Sequence, residues 1–453
     1  MQLLSGSYVG FVAAIALLYF RMSRGGQNLL LLAASLAFAG SWDYSAALWL
    51  VLSSALDFLI SRGLEWERPE HLRRRALWLS VLINLSALVA IKYARVWAPL
   101  PHFVPIGVSF YTLARLSHTF DVFYRLQRPA TRLLDFALFV AFFPQLTAGP
   151  IERARNVLPQ LSLRREFDLE RTYQALWLIG LGLFKKVYVA DHAALIARRL
   201  FESHETSAIT TLLGLYAYAF QIYGDFAGYS DIARGTARLF GIEIVANFAA
   251  PYGSANLAEY WKRWHISLST FLEDYVHKPV AMALRDFGEV GFVCGIWLTF
   301  LASGLWHGTG WTFLIWGALH AAGLSVFALT RKLRKRAQKR VHPIVLGVCA
   351  RLITFHYVCL GYLFFRAPSL EAAWATLRSL GAGFSVTFEV NRSWNALLYY
   401  AGVSTLLDFL QQRAGELWIF RQRTWLRSVV YAALLLSVFR LFAPSADFIY
   451  AEF

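Results

Sequence analysis

Apolar runs long enough to be buried helices recur along almost the whole chain, more than a water-soluble core of this length could enclose. Crossing a hydrocarbon layer takes about 20 mostly apolar residues per helix, somewhat fewer where polar ends reach the interface. On that measure spans are expected near residues 3–20, 28–40, 44–61, 76–91, 134–148, 171–190, 209–223, 288–305, 310–329, 344–365, 394–411 and 424–442. The expected fold is therefore an all-α polytopic membrane protein with about 10–12 transmembrane helices. Segment 28–40 is short, and 288–305 with 310–329 are candidates for broken helices. Composition agrees: 57% of residues are hydrophobic and 16% charged, against about 45–50% and about 25% in soluble domains.

The formal net charge of +16 would suit a nucleic-acid binder, but its placement argues otherwise. Arg21/Arg24 and the stretches 62–75, 153–171, 331–340 and 413–427 lie between apolar runs, where the positive-inside rule puts basic residues. An even number of spans separates neighbouring blocks, so one orientation satisfies them all, with both termini extracytoplasmic. RKLRKRAQKR (Arg331–Arg340) reads as a cytoplasmic loop on anionic lipid. The first residues lack the basic start and small-residue cleavage site of a secretory signal and read as a retained span. Cys294, Cys349 and Cys359 form no CxxC pair, which disfavours a disulfide framework or a zinc site.

Two stretches do not look like simple loops. His102–Arg125 is apolar yet holds Pro105, Gly107, Arg115, His118 and Asp121, and residues 255–287 mix Trp and Phe with Lys and Arg. Irregular backbone at membrane depth survives only inside protein or around a wet cavity. Both are expected to be re-entrant or interfacial helices around an internal chamber. With no visible repeat, the chain reads as one transmembrane domain, 1–453, with its core near 102–323.

That core holds the polar residues worth weighing. His307, in SGLWHGTGW, sits at the junction of two apolar runs. Gly304 and Gly308 would make a helix-packing contact with His307 hydrogen-bonded across it. Alternatively, a neutral imidazole in a partly dry chamber is a suitable general base. The second account is favoured. Trp261, Trp264, His265 and Leu268 follow helical spacing in EYWKRWHISLS. They are either interfacial anchors or a cationic-aromatic ledge for an anionic donor, and spacing does not choose. Asp225 and Asp231 are six apart and share no helical face well, so at least one is expected to pair with Arg234 or Arg263. His320 follows His307 by roughly 20 Å on a straight helix, out of reach unless the helix breaks. No G-x-S-x-G, P-loop, G-x-G-x-x-G or H-E-x-x-H pattern occurs.

These motifs resemble the membrane-bound O-acyltransferase family, in its bacterial branch of alginate O-acetylation and teichoic acid D-alanyl transfer proteins. The likeness rests on FFPQLTAGPIERARNVLPQL, QIYGDFAGYSDIARG, NFAAPYGSANLAEYWKRWHISLSTFLEDYV and SGLWHGTGWTFLIWGALHA, in the family's order. VPIGVSFYTLARLSHTFDVFYR adds weaker support. The resemblance implies a ring of helices around a funnel in a bacterial inner (plasma) membrane. Within it, an acyl group, expected to be acetyl, moves from a cytoplasmic thioester to an extracytoplasmic hydroxyl. The family's WHG histidine falls on His307 and that of RWHxSLS on His265. His307 would take the hydroxyl proton. His265 with Trp261, Arg263 and Trp264 would orient the donor or polarise its carbonyl, with Asp225, Trp306 and His320 also contacting substrate. No bound cofactor or metal is expected, only an acyl-CoA or acyl-carrier-protein thioester as donor substrate. Expected partners are membrane lipid and a glycan acceptor or periplasmic transferase. DYVHKPVAMALRDFG departs from the alginate-type DYLYIPLGG, which leaves acceptor and partner open. A D-alanyl-type transfer, a lipid-linked sugar transporter and a membrane scaffold stand as alternatives.

Overall fold

The computed structural model describes residues 5–97, 105–202 and 207–440. Every regular element among them is helical, as a lipid solvent demands, because each segment must there close its own backbone hydrogen bonds. The chain divides into two compact units, residues 1–182 with 229–246, and residues 183–228 with 247–453.

The first unit opens with α1 (Gly6–Tyr19), α2 (Arg24–Gly40) and α3 (Tyr44–Ser61). Ser5, Ser23 and Asp43 cap them by accepting from Tyr8 N, Gly26 N and Ser45 N, which satisfies amide groups with no partner inside the helix. Next come α4 (Glu70–Trp97), α5 (Val108–Phe123), α6 (Leu133–Ala141), α7 (Ala154–Leu161) and α8 (Leu169–Leu183). The run 134–148, expected to span, does not: α6 ends at Ala141, and Phe142–Ile151 turns through Pro144 and Gly149–Pro150. The aromatic and apolar side chains of that turn are buried inside the unit, so they are core and not lipid-facing surface.

Helix α5 carries most of the irregular stretch 102–125, whose first residues lie outside those described. Gly107 precedes it at φ 72°, where a Cβ would run into the Leu146 carbonyl. The helix is buried almost throughout, and its charges are paired. Arg115 Nε lies 3.4 Å from Asp57 Oδ2, and Asp57 accepts from Ser80 Oγ at 2.9 Å and Asn84 Nδ2 at 2.8 Å. Asp121 faces Arg155 at 3.3 Å.

In the second unit, a π-helical turn over Phe184–Ala190 leads into α9 (Asp191–Glu202) and α10 (Ala208–Leu239), whose residues from Tyr229 on belong to the first unit. The expected span 209–223 thus continues unbroken through Asp225, Asp231 and Arg234. Residues 255–287, expected as re-entrant or interfacial helices, form a set of short ones: α11 (Leu257–Trp261), α12 (Ile266–Leu272) and α13 (Lys278–Ala283), with a π turn over Glu273–His277. The rest comprises α14 (Glu289–His307), α15 (Trp311–Leu329), α16 (Arg331–Arg340), α17 (Pro343–Arg366), α18 (Leu370–Ser379), α19 (Phe388–Ala414) and α20 (Thr424–Arg440).

Helices α14 and α15 form an antiparallel hairpin held by glycine. A Cβ on Gly304 would meet the Phe313 carbonyl, and one on Gly317 the Phe300 carbonyl, so the two backbones touch where side chains are absent.

Five described helices are long and apolar enough to cross a membrane: Tyr44–Leu64, Glu70–Tyr93, Glu289–His307, Trp311–Leu329 and Pro343–Arg366. Gly6–Tyr19 and Thr424–Ser437 are shorter apolar helices. The protein is an all-α polytopic membrane protein. Fewer helices qualify than the dozen apolar runs expected, because several runs are interrupted or charged when folded; 3–4 and 441–442 lie outside the described residues.

Candidate active site

The short helices α11 and α12 do not form one cylinder. α11 stops at Trp261, and His265 sits at φ 42°, ψ 56° before α12 begins. Trp261, Trp264, His265 and Leu268 therefore share no continuous helical face, contrary to their spacing. A left-handed non-glycine residue costs about 1–2 kcal/mol, so the surroundings must hold it there.

The residue that does so was not singled out from sequence. Asn247 Oδ1 accepts from Ser267 N at 3.1 Å and Ser267 Oγ at 2.7 Å, and lies 3.3 Å from His265 Nδ1. Its backbone carbonyl accepts from Ile266 N at 2.9 Å, and Ala249 N donates to Arg263 O at 3.0 Å. His265 is 1% exposed, with the Phe226 ring perpendicular to its own at 4.7 Å. Burial pushes its imidazole down to about 3, so the ring is neutral at ordinary pH. Asn247 lies inside a motif stretch, but no periodicity links it to His265.

His307 ends α14, 4% exposed. Its ring touches Trp306 at 4.8 Å, Trp316 at 5.0 Å and Phe365 at 5.1 Å between centroids. Trp306 also reaches His265, at 6.3 Å, so one indole lies against both histidines. Gly304 and Gly308 pack on Phe313: the helix-packing role foreseen for these glycines is real, and it leaves the imidazole among the aromatic rings.

His320 joins the same cluster. The chain reverses over Gly308–Gly310, so the straight-helix separation from His307 does not apply. Trp316 stands against both, its ring 5.0 Å from His320 as from His307. Trp316 and His320 are four apart on α15, and that spacing was the available signal for Trp316. Trp261 closes the group, 5.0 Å from His320 and 5.9 Å from Trp316.

Trp264 packs elsewhere, stacked on Tyr260 at 5.6 Å and Tyr252 at 6.1 Å. Tyr260 and Tyr362 share a hydroxyl hydrogen bond of 2.8 Å. Arg263 pairs with Glu259 at 2.6 Å and remains partly exposed. It is not the partner of Asp225. Asp225 meets Lys186 Nζ at 2.7 Å, and Lys186 also meets Asp191 at 3.0 Å, all three buried. Asp231 takes the expected Arg234, at 3.5 Å. Lys186 escaped the sequence reading because it lies far from Asp225 in the chain.

Among the described residues no group of three or more His, Cys, Asp or Glu could hold a metal ion. What the arrangement offers is two buried imidazoles bridged by one indole inside an aromatic enclosure. Low polarity there strengthens the hydrogen bonds that a bound reactant makes to these rings.

Comparison with known proteins agrees with the motifs. Residues 35–365 match the model of MBOAT, the membrane-bound O-acyltransferase family. A peptidoglycan O-acetyltransferase of Helicobacter pylori is 29% identical over 509 residues, covering 98% of this chain and 95% of that protein. The protein named probable alginate O-acetylase AlgI in Azotobacter vinelandii is 35% identical over 79% of this chain and 73% of its own length. The teichoic acid D-alanyltransferase of Bacillus subtilis is 28% identical over 62% of this chain and 76% of its own. The chain belongs to the membrane-bound O-acyltransferase family and is an O-acyltransferase.

Proposed function

We propose that the protein moves an acetyl group from a cytoplasmic thioester, on CoA or a carrier protein, across a bacterial inner membrane. The acceptor is a hydroxyl of an extracytoplasmic polysaccharide or of a partner protein that acts on one. The observation carrying this reading is the near end-to-end match to a relative named for O-acetylation of a cell-wall glycan. The alginate relatives, at 34–35% identity, point the same way.

In this reading His307 removes the hydroxyl proton as the oxygen attacks the thioester carbonyl, and the thiol leaves on its carrier. General-base assistance of this kind contributes roughly 10²–10⁴-fold. His265 lies on the other side of Trp306, against the bound reactants. Trp261 and Trp306 wall the reaction from water, and His320 supports Trp261 from behind, while Trp264 braces Tyr260. Arg263, partly exposed, meets the anionic part of the donor. Asp225 acts through Lys186 and Asp191, which keep the start of α9 against α10.

The test is alkali-released ester from cell-surface glycan, in cells carrying wild type or His307→Ala at matched membrane levels. Loss of ester by about 100-fold or more is expected, and released acetate identifies the group. Equal ester in both strains would remove His307 from the chemistry. D-alanine in place of acetate would select the second reading, which the teichoic acid relatives favour at 28–29% identity over 60–62% of this chain.

A further inference from the structure

Of the two histidines, His265 has its surroundings drawn atom by atom, and they determine which ring nitrogen faces the reactants. The Ser267 backbone N–H can only donate, and it donates to the Asn247 side chain at 3.1 Å. The atom receiving it is therefore the amide oxygen, which can only accept. The same oxygen faces His265 Nδ1 at 3.3 Å. A neutral ring placed there must carry its proton on Nδ1 and its lone pair on Nε2. His265 Nε2 is buried and has no hydrogen-bond partner among the described residues, and the Trp306 indole, which also touches His307, stands 6.3 Å from this ring.

We infer that Asn247 is a positioning residue that locks His265 in the Nδ1–H tautomer, so that Nε2 accepts a hydrogen bond from the hydroxyl to be acylated. This rests on the proposed function and sharpens it. A nitrogen bearing a lone pair cannot polarise a thioester carbonyl, so His265 orients the alcohol instead of activating the donor. The hydroxyl proton, held first towards Nε2, is taken by His307 as the C–O bond forms, and His307 passes it to the sulfur as the C–S bond breaks, so the thiol leaves and both rings return to neutral.

Three further details make Asn247 a lock. Its backbone carbonyl fixes the start of α12 through Ile266 N. Ser267 fills its side-chain oxygen from two directions, which holds the amide from turning over. The left-handed backbone of His265 presents the ring from a fixed point.

The experiment uses the full-length protein in liposomes with ¹⁵N-labelled histidine. Imidazole nitrogens that bear a proton and those that bear a lone pair resonate far apart, and the signals lost in His265→Asn identify residue 265. Asparagine tolerates the left-handed backbone, so this variant is expected to fold. The expected spectrum shows a protonated Nδ1 and an unprotonated Nε2, retained in Asn247→Asp and lost or mixed in Asn247→Ala. In cells, Asn247→Ala is expected to lower glycan ester more than tenfold at matched membrane level. Asn247→Asp, whose carboxylate accepts the same bonds, restores at least part of it.

A proton on Nε2 in the wild type, or Asn247→Ala with unchanged spectrum and ester, overturns the inference. Its failure and that of the proposed function separate cleanly. If His265→Asn leaves the ester intact while the spectrum is as expected, the tautomer lock stands and its role in acyl transfer falls. A folded but inactive Asn247→Asp with the wild-type tautomer also overturns that role.

Discussion

His265 pairs a neutral buried ring with a backbone conformation that few side chains adopt, and both have measurable consequences. Its folded pKa, about 3, lies below the ordinary value of about 6.5. The unfolded chain therefore binds the proton first as pH falls. Stability is full above about pH 6.5 and drops below it, by up to about 1.4 kcal/mol per pH unit, until the folded ring titrates. Thermal unfolding in detergent at pH 7 and pH 5 should show a fall that is smaller in His265→Asn. Asp225 makes a second case. Its carboxylate, written among the substrate-contacting residues from sequence, is held by buried Lys186. Breaking a buried ion pair by removing one partner costs about 3–5 kcal/mol. Asp225→Asn is expected to reduce the yield of folded membrane protein, read by size-exclusion profile, more than the ester formed per folded molecule. A folded variant at full yield without ester would place Asp225 on the substrate. Sequence showed that these side chains were polar residues in greasy surroundings; their partners are remote in the chain, and no spacing rule reaches them.

The α14–α15 hairpin depends on backbone contact. Gly317→Ala would drive a methyl into the Phe300 carbonyl and Gly304→Ala one into that of Phe313. Gly310, by contrast, would meet only ordinary or slightly close neighbours. Overpacking typically costs 1–3 kcal/mol. By the conversion for larger domains, the two tight variants should melt roughly 2–12 °C lower while Gly310→Ala stays near wild type. Equal melting of all three would mean that the helices do not touch there. The same element shows why His320 was set apart from His307. The separation held for a straight helix, whereas Gly308–Gly310 turns the chain back. α11 and α12 failed in the other direction, since regular spacing suggested one helix where His265 breaks it. Helical periodicity reports which side chains would align if the backbone continued, and does not report whether it continues.

For the whole molecule, the orientation expected from the basic blocks counted 134–148 among the spans, which the nine-residue α6 is not, so experiment decides the sidedness. With Arg331–Arg340 cytoplasmic and both termini outside, alkaline phosphatase fused after residue 440 should be active, and fused within α16 it should be inactive. The reverse pattern would overturn the orientation. The residues of α16 lie largely at the surface and none is buried, as a basic segment on anionic headgroups requires. The solvent this chain folds in, its helical class and its family are legible in the order of its residues. Those follow from the number of apolar residues, the lack of any other way to satisfy backbone groups in hydrocarbon, and the order of a few motifs. Tertiary structure alone decided which apolar runs are core and not membrane-facing, that Lys186 answers Asp225, and that Asn247 sets the ring of His265. Each of these depends on atoms brought within a few ångströms by a fold in which neighbours in space are far apart in sequence.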